Sequence, residues 1–197
     1  MSLEEIKDEF LQIYYDNIER DGAEALLDYL ERSDFFTAPA SSRSHSAYEG
    51  GLCQHSINVY KRFVKLLESE YGHNWENVIS KESVAIIALL HDICKVNYYA
   101  TELRNVKKDG QWVQEPFYKI EDALPYGHGE KSVYMISGFM KLTREEAMAI
   151  NWHMGGFDPR AKDFSLMLSN VYYKYPTAFI FHIADNMATY LDEKPKA

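Results

Sequence analysis

The stretch Ala88 to Val96, ALLHDICKV, decides how the rest of the chain is read. It completes the run KESVAIIALLHDIC (81–94), which is apolar on most sides and reads as a short buried helix. That helix ends with an imidazole, a carboxylate and an amine within five positions, His91, Asp92 and Lys95. An unpaired buried carboxylate is costly enough that it normally finds a cation or gives up its charge.

Working outward, other apolar helical faces carry the same kinds of group. Residues 51–69 have a helical pattern with Leu52, Val59, Phe63 and Leu66 on one stripe, and His55 falls on that stripe. His153 shares a face with Ala149 and Ile150, and Asp185 projects with Ala178, Phe181 and Ala188. Basic side chains are scarce on these faces, whereas imidazoles recur; neutral imidazole with carboxylate is a common ligand set for a divalent metal. Adjacent helical residues point about 100° apart, so one ion near a helix end can sit between His91 and Asp92. His55 and Asp185 from two further helices would complete four protein ligands. One divalent ion against two aspartates is about neutral, and a second would leave about +2.

The remaining segments read as helices with one exception. LEEIKDEFLQIYYDNI (3–18) and GAEALLDYLER (22–32) have three- and four-residue apolar spacing, and SDFFTAPASSRSHSAYEGG (33–51) reads as a loop. Asp109-Gly110 suits a two-residue turn with positive φ, so a small β-hairpin is expected near 97–120. Helices follow at about 129–140, 144–153 and 176–192, with a further helical stretch at 163–175. Thr143 and Glu146 have capping-box spacing, and Pro176 stands where a helix can begin. With no internal repeat or linker, the expectation is one all-α domain over 1–197: N-terminal helices in 1–39, then a metal-binding helical core in 40–192 with the hairpin inserted.

Composition narrows the function. A net charge of −9 argues against a surface built for extended nucleic acid, because that affinity comes chiefly from Lys and Arg displacing counterions from phosphates. A small anionic substrate would instead need a local positive centre. Two cysteines, Cys53 and Cys94, have no paired spacing, the acidic start MSLEEIKDEF lacks the features of a secretory signal, and no apolar run approaches a membrane span. A reducing cytoplasm is the expected location, with no membrane partner.

Five ordered segments, GGLCQHS (50–56), LLHDICK (89–95), YGHGEKS (126–132), NWHMGG (151–156) and HIADNMA (182–188), resemble the HD-domain metal-dependent phosphohydrolases. The likeness runs from about residue 40 to 190 and implies an HD-domain helical bundle. It implies that His55, His91, Asp92 and Asp185 form the primary metal set, and that His128 and His153 hold a second metal with Asp92 bridging. NWHMGG has one histidine where some relatives have two. Lys95 matches the basic residue placed near the scissile phosphate. The chain is also similar to the HD domain of a bacterial 3′ to 5′ exoribonuclease, which carries a separate nucleic-acid-binding domain; here the HD region and its N-terminal helices take up the sequence.

The expected activity is therefore hydrolysis of a phosphoester of a nucleotide or similar small phosphorylated molecule, an ester hydrolase dependent on one or two divalent ions among iron, manganese, nickel, cobalt, zinc and magnesium. Asp92, Lys95 and His128 are the catalytic candidates, with Lys95 offsetting charge on the phosphoryl oxygens. Two other readings compete: a 3′ to 5′ exonuclease or phosphodiesterase on short oligonucleotides, and a non-catalytic metal or nucleotide sensor. Arg43, Arg104, Lys107 and Lys131 are candidate anion contacts. Tyr98, Tyr99, Trp112 and Tyr118 are candidate stacking surfaces, His45 lies in a loop that could reach the site, and His182 is placed to support Asp185.

Overall fold

Helix α1 (Leu3–Asn17) begins at a reciprocal cap, in which Ser2 Oγ accepts from Glu5 N at 3.2 Å while Ser2 N donates to Glu5 Oε2 at 2.7 Å. Its buried residues, Ile6, Phe10 and Tyr14, recur at four-residue spacing and face the core. Helix α2 (Ala23–Arg32) follows, and the described residues between it and α3 (Gly51–Tyr71) run as loop and turn. The computed structural model describes residues 1–43, 46–163 and 165–193; His45 lies outside the described residues.

Helix α3 is the long central element, packed by α1, α4 and α9. Its buried stripe includes Leu52, His55, Val59, Phe63 and Leu67, so one imidazole sits in an otherwise apolar line. Helix α4 (Lys81–Leu90) is buried at every position from Val84 to Leu90. The remaining helices are α5 (His128–Ser137), α6 (Arg144–Asn151), α7 (Pro159–Asp163), α8 (Ser165–Lys174) and α9 (Pro176–Met187), the last continuing into a single π turn at Ala188–Asp192. Among the described residues no helix is long and apolar enough to cross a membrane.

The expected hairpin is present. Strands β1 (Tyr99–Lys108) and β2 (Gln111–Ile120) pair antiparallel with Tyr99 opposite Ile120 and Lys108 opposite Gln111. Asp109 and Gly110 both have positive φ, 50° and 82°, the geometry that this turn needs to match strand twist. The capping box at Thr143 and the proline start of α9 are also formed.

Two boundaries differ from the sequence expectation in a way that matters. The apolar helix was expected to run through Cys94, but α4 ends at Leu90 and a separate 3-10 turn covers Ile93–Lys95. His91 Nδ1 bonds the Ala88 carbonyl at 2.9 Å, and Asp92 leaves helical geometry at φ −103°, ψ 16°. Similarly α6 ends at Asn151, so His153 sits in the turn after it, with Nδ1 on the Ile150 carbonyl at 2.7 Å. Both metal candidates thus turn out of helix ends instead of lying along a helix face.

An ion-pair network ties the starts of the same two helices to the N-terminal helices. Arg20, between α1 and α2, donates to both oxygens of the fully buried Glu146 at 2.7 and 2.8 Å and to Glu82 at 2.9 Å. Glu146 also accepts from Ser83 Oγ at 2.6 Å and Thr143 N at 2.7 Å, joining α4 to α6. Burial alone would raise the Glu146 pKa, but the Arg20, Ser83 and Thr143 bonds lower it below the ordinary value. Replacing Arg20 by Met strands this carboxylate, with an expected loss of about 3 kcal/mol at neutral pH in urea unfolding. Because the folded-state pKa of Glu146 is depressed, its contribution is present above the ordinary Glu pKa of about 4.3 and lost as pH falls through the folded value. The gap between wild type and Arg20→Met should therefore narrow between neutral and strongly acidic pH.

Candidate metal centre

Five segments, α3, the end of α4, α5, the turn after α6 and α9, bring His55, His91, Asp92, His128, His153 and Asp185 to one place. His55 Nε2 lies 3.3 Å from His91 Nε2 and 3.2 Å from Asp185 Oδ1. Asp92 faces both sides of the cluster. Its Oδ2 is 3.6 Å from His55 Nε2, 3.5 Å from His91 Nε2 and 2.6 Å from Lys95 Nζ. Its Oδ1 is 2.8 Å from His128 Nε2 and 3.6 Å from His153 Nε2. All except His128 and Asp185 expose less than a tenth of their surface.

The outer ring nitrogens explain why the inner ones converge. His91 and His153 each donate Nδ1–H to a backbone carbonyl three residues earlier, which leaves Nε2 as a lone pair. His55 Nδ1 faces both oxygens of Glu193 at 3.0 and 3.1 Å, and His128 Nδ1 lies 3.4 Å from Cys94 Sγ. The His91 lone pair therefore points at His55 Nε2, and the His153 lone pair points at a carboxylate oxygen. The His153–Asp92 contact repels unless a cation lies between, and the His91–His55 contact needs a proton on His55 or a cation in its place, so the donor set fits a divalent metal. Three ligand groups have their donor atoms mutually within 4.8 Å: His55, His91 and Asp185; His91, Asp92 and His153; and Asp92, Cys94 and His128.

Electrostatics point the same way. Burial disfavours a charged His55, yet the Glu193 and Asp185 carboxylates outweigh it and push its pKa up to about 10. Burial likewise opposes charge on His128, but Cys94 and Asp92 raise it to about 10. His91 has less compensation, and burial takes it down to about 3, fixing it neutral. Against its own burial, Asp92 is held well below the carboxylate range by Lys95, His91 and His128, and Asp185 is lowered by His55.

A cleft of about 510 Å³ opens onto the cluster. His55, Asp92, Lys95, His128, His153 and Asp185 form part of its wall, with Ser41, Ser42 and Tyr99 from the loop and hairpin side. Phe157, Asn186, Thr189 and Tyr190 form the other side. Gly155 has φ 53°, and a Cβ there would lie 2.4 Å from the His182 ring, so only glycine lets this turn close over the site.

Several expectations are corrected. Arg43, Arg104, Lys107 and Lys131 do not line the cleft: Arg43 and Arg104 stack on Phe117 at 4.6 and 4.0 Å, and Lys131 pairs with Asp122 at 2.6 Å. Of the four hairpin aromatics only Tyr99 reaches the cleft; Trp112 stands in solvent. His182 does not bond Asp185; its Nδ1 donates to the His153 carbonyl at 2.6 Å and so braces the turn carrying that imidazole. Sequence reasoning missed Glu193 and Cys94. Glu193 lies past the last of the recognised segments, and Cys94 was considered only for paired-cysteine spacing.

Comparison with known proteins agrees with this geometry. The family model described as HD domain matches residues 52–190. A curated relative, the dihydroneopterin 2′,3′-cyclic phosphate phosphodiesterase of Methanocaldococcus jannaschii, is 42% identical over 87 residues, 43% of this chain and 31% of that protein. The chain thus aligns with under a third of the relative's length. No solved structure matches the chain. With a match that spans most of the sequence and contains all six clustered histidines and aspartates, the chain belongs to the HD domain family.

Proposed function

We propose that this protein is a metal-dependent phosphohydrolase acting on a small phosphorylated substrate, a nucleotide or a related phosphodiester. The observation that carries this reading is the convergence of imidazole lone pairs and carboxylate oxygens on the two sides of Asp92, at the wall of a cleft. His55, His91, Asp92 and Asp185 would hold one divalent ion. His128 and His153, on the Oδ1 side of Asp92, would hold a second or orient the substrate and leaving group. A bound divalent ion supplies Lewis acidity and lowers the pKa of water toward neutrality.

The protein's own side chains do the rest. Lys95 lines the cleft beside Asp92 and would set its charge against phosphoryl oxygens, where preorganised charge is worth most in a site with little water. His91 and His153, locked by backbone carbonyls, would keep their Nε2 atoms aimed without reorganisation. The cleft volume suits a nucleotide-sized ligand. Exposed Phe157 and Tyr190 at its wall offer ring faces to a flat group. The relative's name specifies a cyclic phosphodiester, and we extend that class, not its particular substrate, to this chain. Among the described residues Lys95 is the one lysine or arginine lining the cleft, which disfavours the oligonucleotide reading, since a strand needs a basic track.

The test is release of product from bis-p-nitrophenyl phosphate, a 2′,3′-cyclic nucleotide, nucleoside monophosphates and short oligonucleotides, each with manganese, iron, cobalt, nickel, zinc and magnesium. Turnover of a small phosphoester is expected. Metal uptake without turnover of any of them would replace this reading with the sensor. Asp92→Ala should lose bound metal and activity together. Lys95→Met should keep the metal and lower kcat by roughly 10²-fold, measured on whichever small phosphoester turns over.

A further inference from the structure

The Glu193 carboxylate is buried, 6% exposed, although it lies near the C-terminal end and beyond the 52–190 span of the family match. Each of its contacts is to a specific group: His55 Nδ1 at 3.0 and 3.1 Å, Asn58 Nδ2 at 2.9 Å and Ser46 Oγ at 2.8 Å. It thereby joins the loop before α3, the first turns of α3 and the end of α9. The π turn at Ala188–Asp192 makes this reach available. In an unbroken α-helix residue 193 would stand about 80° round from residue 185; the wider π turn, closed by Glu193 N on the Ala188 carbonyl at 3.1 Å, brings it back toward the face that carries Asp185. Asp185 and Glu193 then take the two nitrogens of one imidazole, Nε2 and Nδ1.

We propose that Glu193 is a positioning residue of the metal centre: its carboxylate holds the His55 ring with Nδ1 outward and Nε2 toward Asp185 and His91, and so sets how tightly the site takes a divalent cation. The inference rests on the metal-centre reading above. His91 and His153 are oriented by neutral backbone carbonyls within their own turns. His55 lies inside α3, where the carbonyls are already used by the helix, so its orienting acceptor has to come from another segment. A charged acceptor also makes the ring a stronger ligand than a carbonyl does.

A plain structural alternative is that Glu193 only fastens the C-terminal turn to α3. The neighbouring strap separates the two roles: Arg62 of α3 donates Nε–H to Asp192 at 2.8 Å and touches no metal candidate. Calorimetric titration with Mn²⁺ alone and with Zn²⁺ alone, alongside melting of the metal-free proteins, gives the test. Glu193→Ala should weaken affinity 10- to 100-fold, Glu193→Gln should weaken it less in the same direction, and Arg62→Gln should leave it within about twofold while lowering the melting temperature. If Glu193→Ala does not fold, Glu193→Gln decides. Affinity unchanged in the Glu193 variants, or lost equally in Arg62→Gln, overturns the proposal, while loss of binding in Asp92→Ala would leave the metal centre standing. A wild type that takes up neither ion overturns both.

Discussion

Everything in this structure turns on a carboxylate taken out of water. Asp92 lies at the break between α4 and the following turn, almost wholly buried, where it must be surrounded by donors or cations to remain charged. The chain answers with Lys95 on one oxygen and His128 on the other, and with His55, His91 and His153 at slightly longer range. Those longer distances are informative. Imidazoles at 3.5–3.6 Å are too far for good hydrogen bonds to the carboxylate, yet they aim at it, as ligands arranged around a shared position do.

That demand explains the architecture around it. A ligand atom is useful only if it is held still, and a fully buried α4 fixes its own end within the core. Helix α3 presents His55 from the middle of a buried stripe, α9 presents Asp185, and the end of α6 turns His153 inward. The Arg20–Glu146 network, distant from the cleft in sequence, clamps the starts of α4 and α6. The ends of those two helices carry His91 and lead into His153, so the strap limits how these two imidazoles can move relative to each other.

Much of this was legible in the sequence because the site follows rules that leave periodic marks. His55 on an apolar stripe, Asp185 among Ala178 and Phe181, and the Asp109-Gly110 turn are visible without coordinates. The helix break after His91 was not, because neither glycine nor proline marks it. Glu193 was hidden for a different reason. Its burial depends on a π turn that shifts it off the expected helical face, and no local pattern in ATYLDE announces that extra residue. The scattered bases, whose usual place is solvated surface, stay out of the cleft because an aromatic ring takes up Arg104 and an acid takes up Lys131.

Counting Glu193 and Lys95 changes the charge balance of the centre. Asp92, Asp185 and Glu193 contribute three negative charges and Lys95 one positive, leaving two to be compensated. In the metal-free protein the protons on His55 and His128, both with pKa pushed up to about 10, provide that compensation at neutral pH. A divalent cation held by His55, His91, Asp92 and Asp185 would displace the His55 proton, so its uptake would be tied to proton release and would make the centre more positive. A second ion, displacing the His128 proton, would raise that positive charge further. In a protein of net charge −9, attraction of an anionic phosphoester to this cleft then depends on Lys95 with one ion bound, and on the Oδ1 side of Asp92 with two.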